Sequence, residues 1–456
     1  MARQQLKASN YNFICNRLDE RVLFFNFFSL TLLALSPKDA QAATRLLKNP
    51  NSTFSGREFD KVKKILIDNG FLIRADIDEL NILSKNYFNS INDDKFLSLT
   101  IAPTLNCNFN CIYCYQEKKK MVMQEEVEKA LISFVDKNLH ENSSLNVTWF
   151  GGEPLLQYDI IKELSSSFLE ICSKKTSKYQ SSIVTNGYLL NRRMAKELSK
   201  LNIRSAQVTI DGPAPVHNKR RPLRGGGRTF DRLINNIDET ADLINIDIRM
   251  NVDKENENKI EELLNELVKR KLNHKVGFYI GHTYPYTNVC ADISSVCLSE
   301  RDFSILDVSA GLAMVDRGFG SYREPRAINY NCFAEAKKGY VVCPNGELLK
   351  CWNDVGKKKE AVGHLLIPTS RQMIEKRKKW SHRNPFKLEC KDCQLLPICM
   401  GGCLYLYNLN GKVDCHPWKY EPELHLLYYY YRKKIEQEIE VQKEFWSLVR
   451  KIKKLL

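Results

Sequence analysis

Residues 107–114 read CNFNCIYC and place cysteines at 107, 111 and 114; the next cysteine lies at 172. Three soft thiolates in a CxxxCxxC spacing suit zinc or an iron–sulfur cluster. A structural zinc site closes on four ligands, so here it would need a fourth from elsewhere. For a cubane cluster the shortage has a use, because three irons are held and the fourth stays open to a cofactor. A second set begins at Cys332, followed by thirteen residues, Gly346, four residues and Cys351. CKDCQLLPICMGGC then supplies Cys390, Cys393, Cys399 and Cys403, and Cys415 closes the array. Only Cys15, Cys172, Cys290, Cys297 and Cys343 of the fifteen cysteines stand apart from these two sets.

The chain around these cysteines has 456 residues, enough for two or three domains that each bury a core. Its 43% hydrophobic and 27% charged residues are ordinary for a globular protein. The greasiest run, VLFFNFFSLTLLALS at 22–36, is broken by Asn26 and Ser29 and reads as strand, not as a membrane span or signal peptide. A cytoplasmic location is expected, and there clustered cysteines hold metal more often than disulfides. The formal charge of +15 points to an acidic partner of some kind. It shrinks if ten cysteines are cluster thiolates, and it names no partner by itself.

Three blocks must position these groups. Residues 1–95 open with two expected strands, YNFICNR and VLFFNFFSLTLLAL; Ser36-Pro37 then starts one helix, and Ser55 is placed to cap a second that ends at Gly70. A hairpin followed by small helices is a winged-helix-like layout. From 96 to about 290, strand runs FLSLTIAP, LNVTWFGG, SSIVTNG, RSAQVTIDG, DIRMNVD and KVGFYIG alternate with amphipathic helices such as QEEVEKALISFVDKNL. Six strand–helix units predict a parallel sheet closing part of a barrel, with chemistry at the ends where the strands finish. From 332 to about 420 periodicity weakens where cysteines thicken, as expected where metal supplies what a small core cannot. HLLYYYYRKKIEQEIEVQKEFWSLVRKIKKLL ends the chain as a basic amphipathic helix, expected to dock by its Tyr, Phe and Leu face.

The triplet follows the first barrel strand directly, with the aromatic Tyr113 before its last cysteine. GGEP at 151–154 closes the second strand, TNG at 185–187 the third, and TIDGP at 209–213 the fourth, continuing into HNKRRP. In that order these segments resemble the radical SAM superfamily. The resemblance implies a partial (β/α)6 barrel whose [4Fe–4S] cluster, on Cys107, Cys111 and Cys114, binds S-adenosylmethionine (SAM) at its open iron. It implies cofactor contacts from Gly151, Gly152, Glu153, Pro154, Asn186 and Thr209. The glycines would let backbone approach a ligand, and Glu153 would offer a carboxylate to the methionine ammonium group.

The second cysteine set resembles the SPASM extension of that superfamily. This implies two auxiliary [4Fe–4S] clusters, one on Cys390, Cys393, Cys399 and Cys415 and the other on Cys332, Cys351 and Cys403. Cys343 is either a further ligand of the latter or a small buried side chain. The fold class is therefore α/β, with a winged-helix-like leader-recognition domain at 1–95, the barrel at 96–300 and a bridge at 301–331. The SPASM domain follows at 332–425 and a basic helix at 426–456.

Enzymes of this kind mostly modify polypeptides. The expected activity is maturation of a ribosomally made precursor peptide: a 5′-deoxyadenosyl radical removes a hydrogen, and a thioether or carbon–carbon crosslink forms. A flavodoxin- or ferredoxin-type reductant is implied; a membrane or nucleic-acid partner is not expected. No side chain is assigned as catalyst, and His282 and Tyr284 after the sixth strand are given no role. One alternative resembles anaerobic sulfatase maturases, which make formylglycine. Against it stand the long segment before the triplet and Trp352, in CWND, where those enzymes carry Asp directly after the cysteine. A non-enzyme alternative is a zinc-dependent nucleic-acid binder.

Overall fold

The computed structural model describes residues 5–16, 21–52, 56–116, 119–286, 293–320, 324–381 and 383–437. Contacts divide the chain into two compact units: residues 1–91, 323–331 and 384–456 form one, and residues 92–322 and 332–383 the other.

The first unit begins with β1 (Leu6–Ala8), β2 (Asn12–Asn16), β3 (Val22–Asn26) and β4 (Thr31–Leu35). α1 (Pro37–Lys48), α2 (Arg57–Asp68), β5 (Leu72–Arg74) and α3 (Glu79–Ile91) follow. β2, β3 and β4 make an antiparallel sheet, and β1 pairs with β5. The 22–36 run is two strands, not the single one expected. Asn26 turns the chain, because its Oδ1 accepts the N–H groups of Phe28 (2.9 Å) and Ser29 (2.7 Å). Its Nδ2 is meanwhile spent on Ser9, Asn12 and the Gly70 carbonyl. Ser36 caps α1 by accepting the Asp39 N–H, a bond that typically contributes about 1 kcal/mol. Ser55 lies outside the described residues; α2 starts after Gly56 without a side-chain cap. Phe24, Ala43, Leu46, Leu66 and Phe71 form the core.

The second unit carries the six expected strand–helix repeats. They are β6 (Phe96–Ile101), α4 (Glu125–Asn138), β7 (Ser144–Trp149), α5 (Tyr158–Lys174), β8 (Lys178–Thr185) and α6 (Arg192–Lys200). β9 (Ile203–Thr209), α7 (Ala214–Arg220), α8 (Phe230–Thr240), β10 (Asn245–Val252), α9 (Ile260–Lys269), β11 (Val276–His282) and α10 (Glu300–Asp316) complete them. The strands run parallel in the order β11-β10-β9-β8-β7-β6, the sheet of a partial barrel.

Beyond β6 that sheet continues through β12 (Gly339–Val342), β13 (Glu347–Leu349) and β14 (Gly363–His364), before α11 (Arg371–Trp380). β12 is parallel to β6 with Val342 opposite Ile101, so its carboxyl end shares the edge where the six barrel strands finish. Alternation sorts the side chains. Leu97, Leu99, Val147, Ile183, Val208, Ile248 and Ile280 join the large core, while Ser98, Asn146, Gln207 and Arg249 take the other face.

The chain returns to the first unit with short α12 (Leu396–Cys399), α13 (Leu404–Asn410) and α14 (Pro422–Gln437). Within α14, His425, Leu426, Leu427, Tyr428, Tyr430, Tyr431 and Arg432 are buried, so this stretch is enclosed on all sides and not docked by one face as expected; residues beyond 437 lie outside the described part. Among the described residues no helix is long and apolar enough to cross a membrane.

Candidate functional site

The cysteine triplet sits in an irregular loop whose backbone groups still need partners. Two distant segments supply them. On one side Thr104 Oγ1 donates to the Met121 carbonyl (2.7 Å), and the Leu105 N–H donates to the same oxygen (2.9 Å). On the other side the loop is laddered to residues 220–224. Asn110 N donates to Pro222 O (2.8 Å), Ile112 N to Arg220 O (3.1 Å) and Arg224 N to Asn108 O (2.9 Å). Cys107, Cys111 and Cys114 then line one cavity with Leu105, Phe109, Gln116, Gly152 and Arg224. Burial pushes the Cys107 thiol up to about 12 and raises Cys111 as well, while the nearby Arg221 charge pulls both down. Thiolates there need positive charge beside them, which bound iron would supply.

Gly151 and Gly152 do approach backbone closely, but the partner is the chain itself. A Cβ on Gly151 would overlap the Thr104 carbonyl oxygen, and one on Gly152 the Asn106 carbonyl oxygen. The close fit lets Gly152 N donate to Thr104 O (3.0 Å) and Glu153 N to Asn106 O (2.8 Å), locking the loop to the end of β7. Glu153 is fully buried. Its Oε1 accepts Thr185 Oγ1 (2.7 Å) and Leu155 N (3.1 Å), and its Oε2 accepts Asn186 N (2.7 Å). The carboxylate thus braces the ends of β7 and β8, and three of its acceptor positions are taken within the chain. Pro154 is buried and opens a single 3-10 turn, 154–157.

Asn186 carries the brace into the loop: its Nδ2 donates to Asn108 Oδ1 (2.7 Å) and lies 3.8 Å from Cys107 Sγ. Thr209 is buried as the last residue of β9. Tyr113 is the hub of a buried polar network that sequence reasoning did not assign. Its hydroxyl donates to Asp211 and accepts from Arg221 Nη1 (2.6 Å) and Asn251 Nδ2 (3.2 Å). Arg220 grips Asp253 with two nitrogens, at 2.6 and 3.1 Å. His217 is buried and held neutral by desolvation and the two arginines, and its Nδ1 accepts the Asp211 N–H (3.2 Å). TIDGP and HNKRRP were visible signals, but which of their charged side chains turn inward was not.

The later cysteines fall in both units. In the second, Cys332 precedes a turn in which its N–H donates to Glu335 Oε1 (3.2 Å), and Glu335 pairs with Arg383 (3.1 Å), both about 1% exposed. Cys351 is buried. Cys343 lies among Ala102, Phe150, Val341 and Leu349, its thiol pushed up to about 12 by burial. In the first unit, burial raises the Cys399 and Cys415 thiols, and Cys393 is close enough that its charge adds to both. Cys390 lies in the turn ending at Cys393, whose N–H donates to its carbonyl (3.1 Å). Met400, Gly401 and Gly402 all have positive φ, and a Cβ on Gly402 would overlap the Asp414 carbonyl oxygen. That turn brings Cys399 beside residues 414–416, whose His416 N–H points at its sulfur. Cys403 begins α13. Among the described residues no three His, Cys, Asp or Glu side chains are gathered to share a single metal ion; in a cubane each thiolate bonds a different iron.

His282 stacks on Phe303 (centroids 4.6 Å apart) and bonds the Leu298 carbonyl (3.0 Å), a structural role. Cys290 lies outside the described residues.

Residues 101–267 match the family model of the Radical SAM superfamily. A curated relative, Fe-coproporphyrin III synthase of Methanosarcina barkeri, is 28% identical over 180 residues, covering 39% of this chain and 42% of that protein. The chain spans about half or less of the length of the curated relatives it matches. Among solved structures, native anSMEcpe with bound AdoMet and Kp18Cys peptide superposes with a TM-score of 0.55 at 19% identity. That match covers 73% of this chain and 99% of the other. Streptococcus suis SuiB bound to precursor peptide SuiA gives a TM-score of 0.52 at 14% identity, covering 90% and 98%. At these identities the likeness is one of fold.

Proposed function

From the premise that residues 101–267 are a radical SAM domain, we propose that this chain is a radical SAM peptide maturase. It would install a thioether or carbon–carbon crosslink in a ribosomally made precursor peptide. The observation that carries the reading is the shared cavity of Cys107, Cys111 and Cys114 at the carboxyl ends of the barrel strands. Soft sulfur donors in a buried pocket braced by the chain's own hydrogen bonds fit a [4Fe–4S] cluster. When bound, that cluster and SAM supply one-electron cleavage of the sulfonium to a 5′-deoxyadenosyl radical.

The chain's own residues do the holding. Asn186 and the 220–224 ladder fix the loop, and Glu153 fixes Asn186. Gly151, Gly152, Pro154 and Thr209 shape the walls on which SAM would lie. Cys390, Cys393, Cys399 and Cys415 have the donor chemistry for an auxiliary cluster, and Cys332, Cys351 and Cys403 are soft donors of the same kind. Cys343, packed among apolar side chains, we assign to the core. A flavodoxin- or ferredoxin-type donor would supply electrons.

A polypeptide substrate is supported by SuiB, solved with a precursor peptide. It is supported also by β4, whose recorded pairing is with β3 alone among the described residues. Such an edge can take a leader peptide as an added strand. The formylglycine alternative is disfavoured at Cys351. Trp352, which follows the cysteine directly, stacks on Phe150 (5.4 Å), and the Asp354 carboxylate three positions along is paired with Lys357 (3.2 Å).

Coexpression with a candidate precursor peptide tests the proposal. Each crosslink should remove two hydrogens by mass spectrometry, and purified protein should convert SAM to 5′-deoxyadenosine. An unmodified peptide from iron-replete enzyme would refute the crosslinking, and zinc on the triplet would refute the whole reading.

A further inference from the structure

Arg220 and Arg221 are neighbours in sequence with different partners. Arg220 is paired with Asp253 and lies near Glu255 (3.4 Å) and Asp211 (3.8 Å). Arg221 is only 8% exposed, yet no ion pair to a carboxylate is recorded for it among the described residues. Its Nη1 donates to the Tyr113 hydroxyl (2.6 Å), and its Nε is buried with no hydrogen-bond partner. The guanidinium carbon lies 5.8 Å from the Phe109 ring and 6.0 Å from the Tyr113 ring, the two aromatics that flank Cys111.

Arginine does not shed its proton to escape burial, so a desolvated guanidinium calls for an anion beside it. Asp211 is a carboxylate that attracts Arg221, but no ion pair between them is recorded among the described residues. Its oxygens are taken by the Tyr113 hydroxyl and the Asn251 N–H, while Arg220 lies 3.8 Å away. The other negative groups on offer are the sulfurs of the loop that residues 220–224 are laddered to. Arg221 lies over the rings two residues either side of Cys111, and both Cys107 and Cys111 feel its charge.

We propose that Arg221 is the charge partner of the metal centre on Cys107, Cys111 and Cys114, and that it eases that centre's reduction. The inference rests on the reading under Proposed function. A cubane on three thiolates carries a net charge of about −1 when oxidised and about −2 when reduced. One electron enters from a low-potential one-electron donor and no bond is made or broken. A fixed cation favours the more negative state. Arg221 therefore raises the reduced-to-oxidised ratio at any set potential. It acts through charge, as a positioning residue and not as a catalytic one.

The test uses full-length protein, reconstituted without oxygen, as wild type, Arg221→Gln and Arg221→Lys. Iron and sulfide are counted, and a potentiometric titration follows the EPR signal that added SAM perturbs, which isolates the N-terminal cluster from the others. Arg221→Gln should lower the reduced-to-oxidised ratio about tenfold at fixed potential, equivalent to about 59 mV for one electron. Arg221→Lys should stay near wild type. An unchanged midpoint in Arg221→Gln, with the SAM-sensitive signal intact, overturns the proposal while the cluster reading stands. Absence of that signal from wild type fells both. If Arg221→Gln fails to retain this cluster, Arg221→Lys decides: retention shows that charge is required and supports the proposal, and loss in both overturns it.

Discussion

Gly152 packs so closely on Asn106 that a single methyl group on its α-carbon would overlap the Asn106 carbonyl oxygen. Gly152→Ala must therefore shift the segment that leads into Cys107. We expect a loss of about 1–3 kcal/mol in stability, the usual cost of overpacking, and a fall in bound iron. Gly225→Ala, where nothing lies within 4 Å of the new carbon, is the control and should change neither. Iron counting and thermal melts of the two variants side by side check this.

Glu153 is predicted to stabilise the apoprotein, since its three hydrogen bonds are all internal. Glu153→Gln puts an amide where only acceptors fit and should cost about 1–3 kcal/mol without any cofactor present. An apoprotein whose melting is unmoved would reassign the carboxylate to the cofactor alone.

Asp354 gives a pH dependence. Burial raises its carboxyl from 3.8 to about 6. A carboxyl raised on folding favours the protonated form, so its contribution is fully present below about 3.8 and is lost as pH climbs through about 6. Asp354→Asn should remove that slope and raise stability at pH 8 by up to about 3 kcal/mol. Denaturant melts of both proteins between pH 5 and 8 would reveal parallel curves if the assignment is wrong.

Arg383 and Glu335 form a buried pair at 3.1 Å, and Glu335 also holds the Cys332 N–H. Arg383→Leu strands that carboxylate and should cost about 3–5 kcal/mol, with little relief from salt. Adding Glu335→Leu should recover part of the loss. A double-mutant cycle with no coupling would contradict the pairing.

Cys343→Ala is expected to leave the iron count unchanged and to cost about 1–2 kcal/mol through lost packing in its apolar surroundings. Cys351→Ala should instead lower the count. Equal iron loss in both would make Cys343 a ligand.

The barrel was legible because its six strands are β-branched runs of period two separated by helices of period 3.6, and each strand lies where it was expected. The 22–36 run misled because Asn26 looks like one polar residue in a greasy strand. Its role as a turn former depends on Ser9, Asn12 and Gly70, which sequence does not bring together. β12 pairs with β6 across more than two hundred residues, a register that local pattern does not encode. The cysteine spacing announced metal, and the structure draws the N-terminal three into one cavity. Arg220 and Arg221 stayed hidden for the opposite reason: a basic run ordinarily reads as solvated surface, and here both side chains are buried.

The ladder between residues 108–112 and 220–224 also sets an order of events during synthesis. When Cys114 leaves the ribosome, half of the clamp that shapes its loop has yet to be translated. A cluster loaded on these cysteines, as proposed, would find its loop fully clamped only once the fourth barrel strand and the helix after it have emerged and folded back. A nascent chain stalled before that point would present its three thiols unshaped, open to oxidation instead of loading.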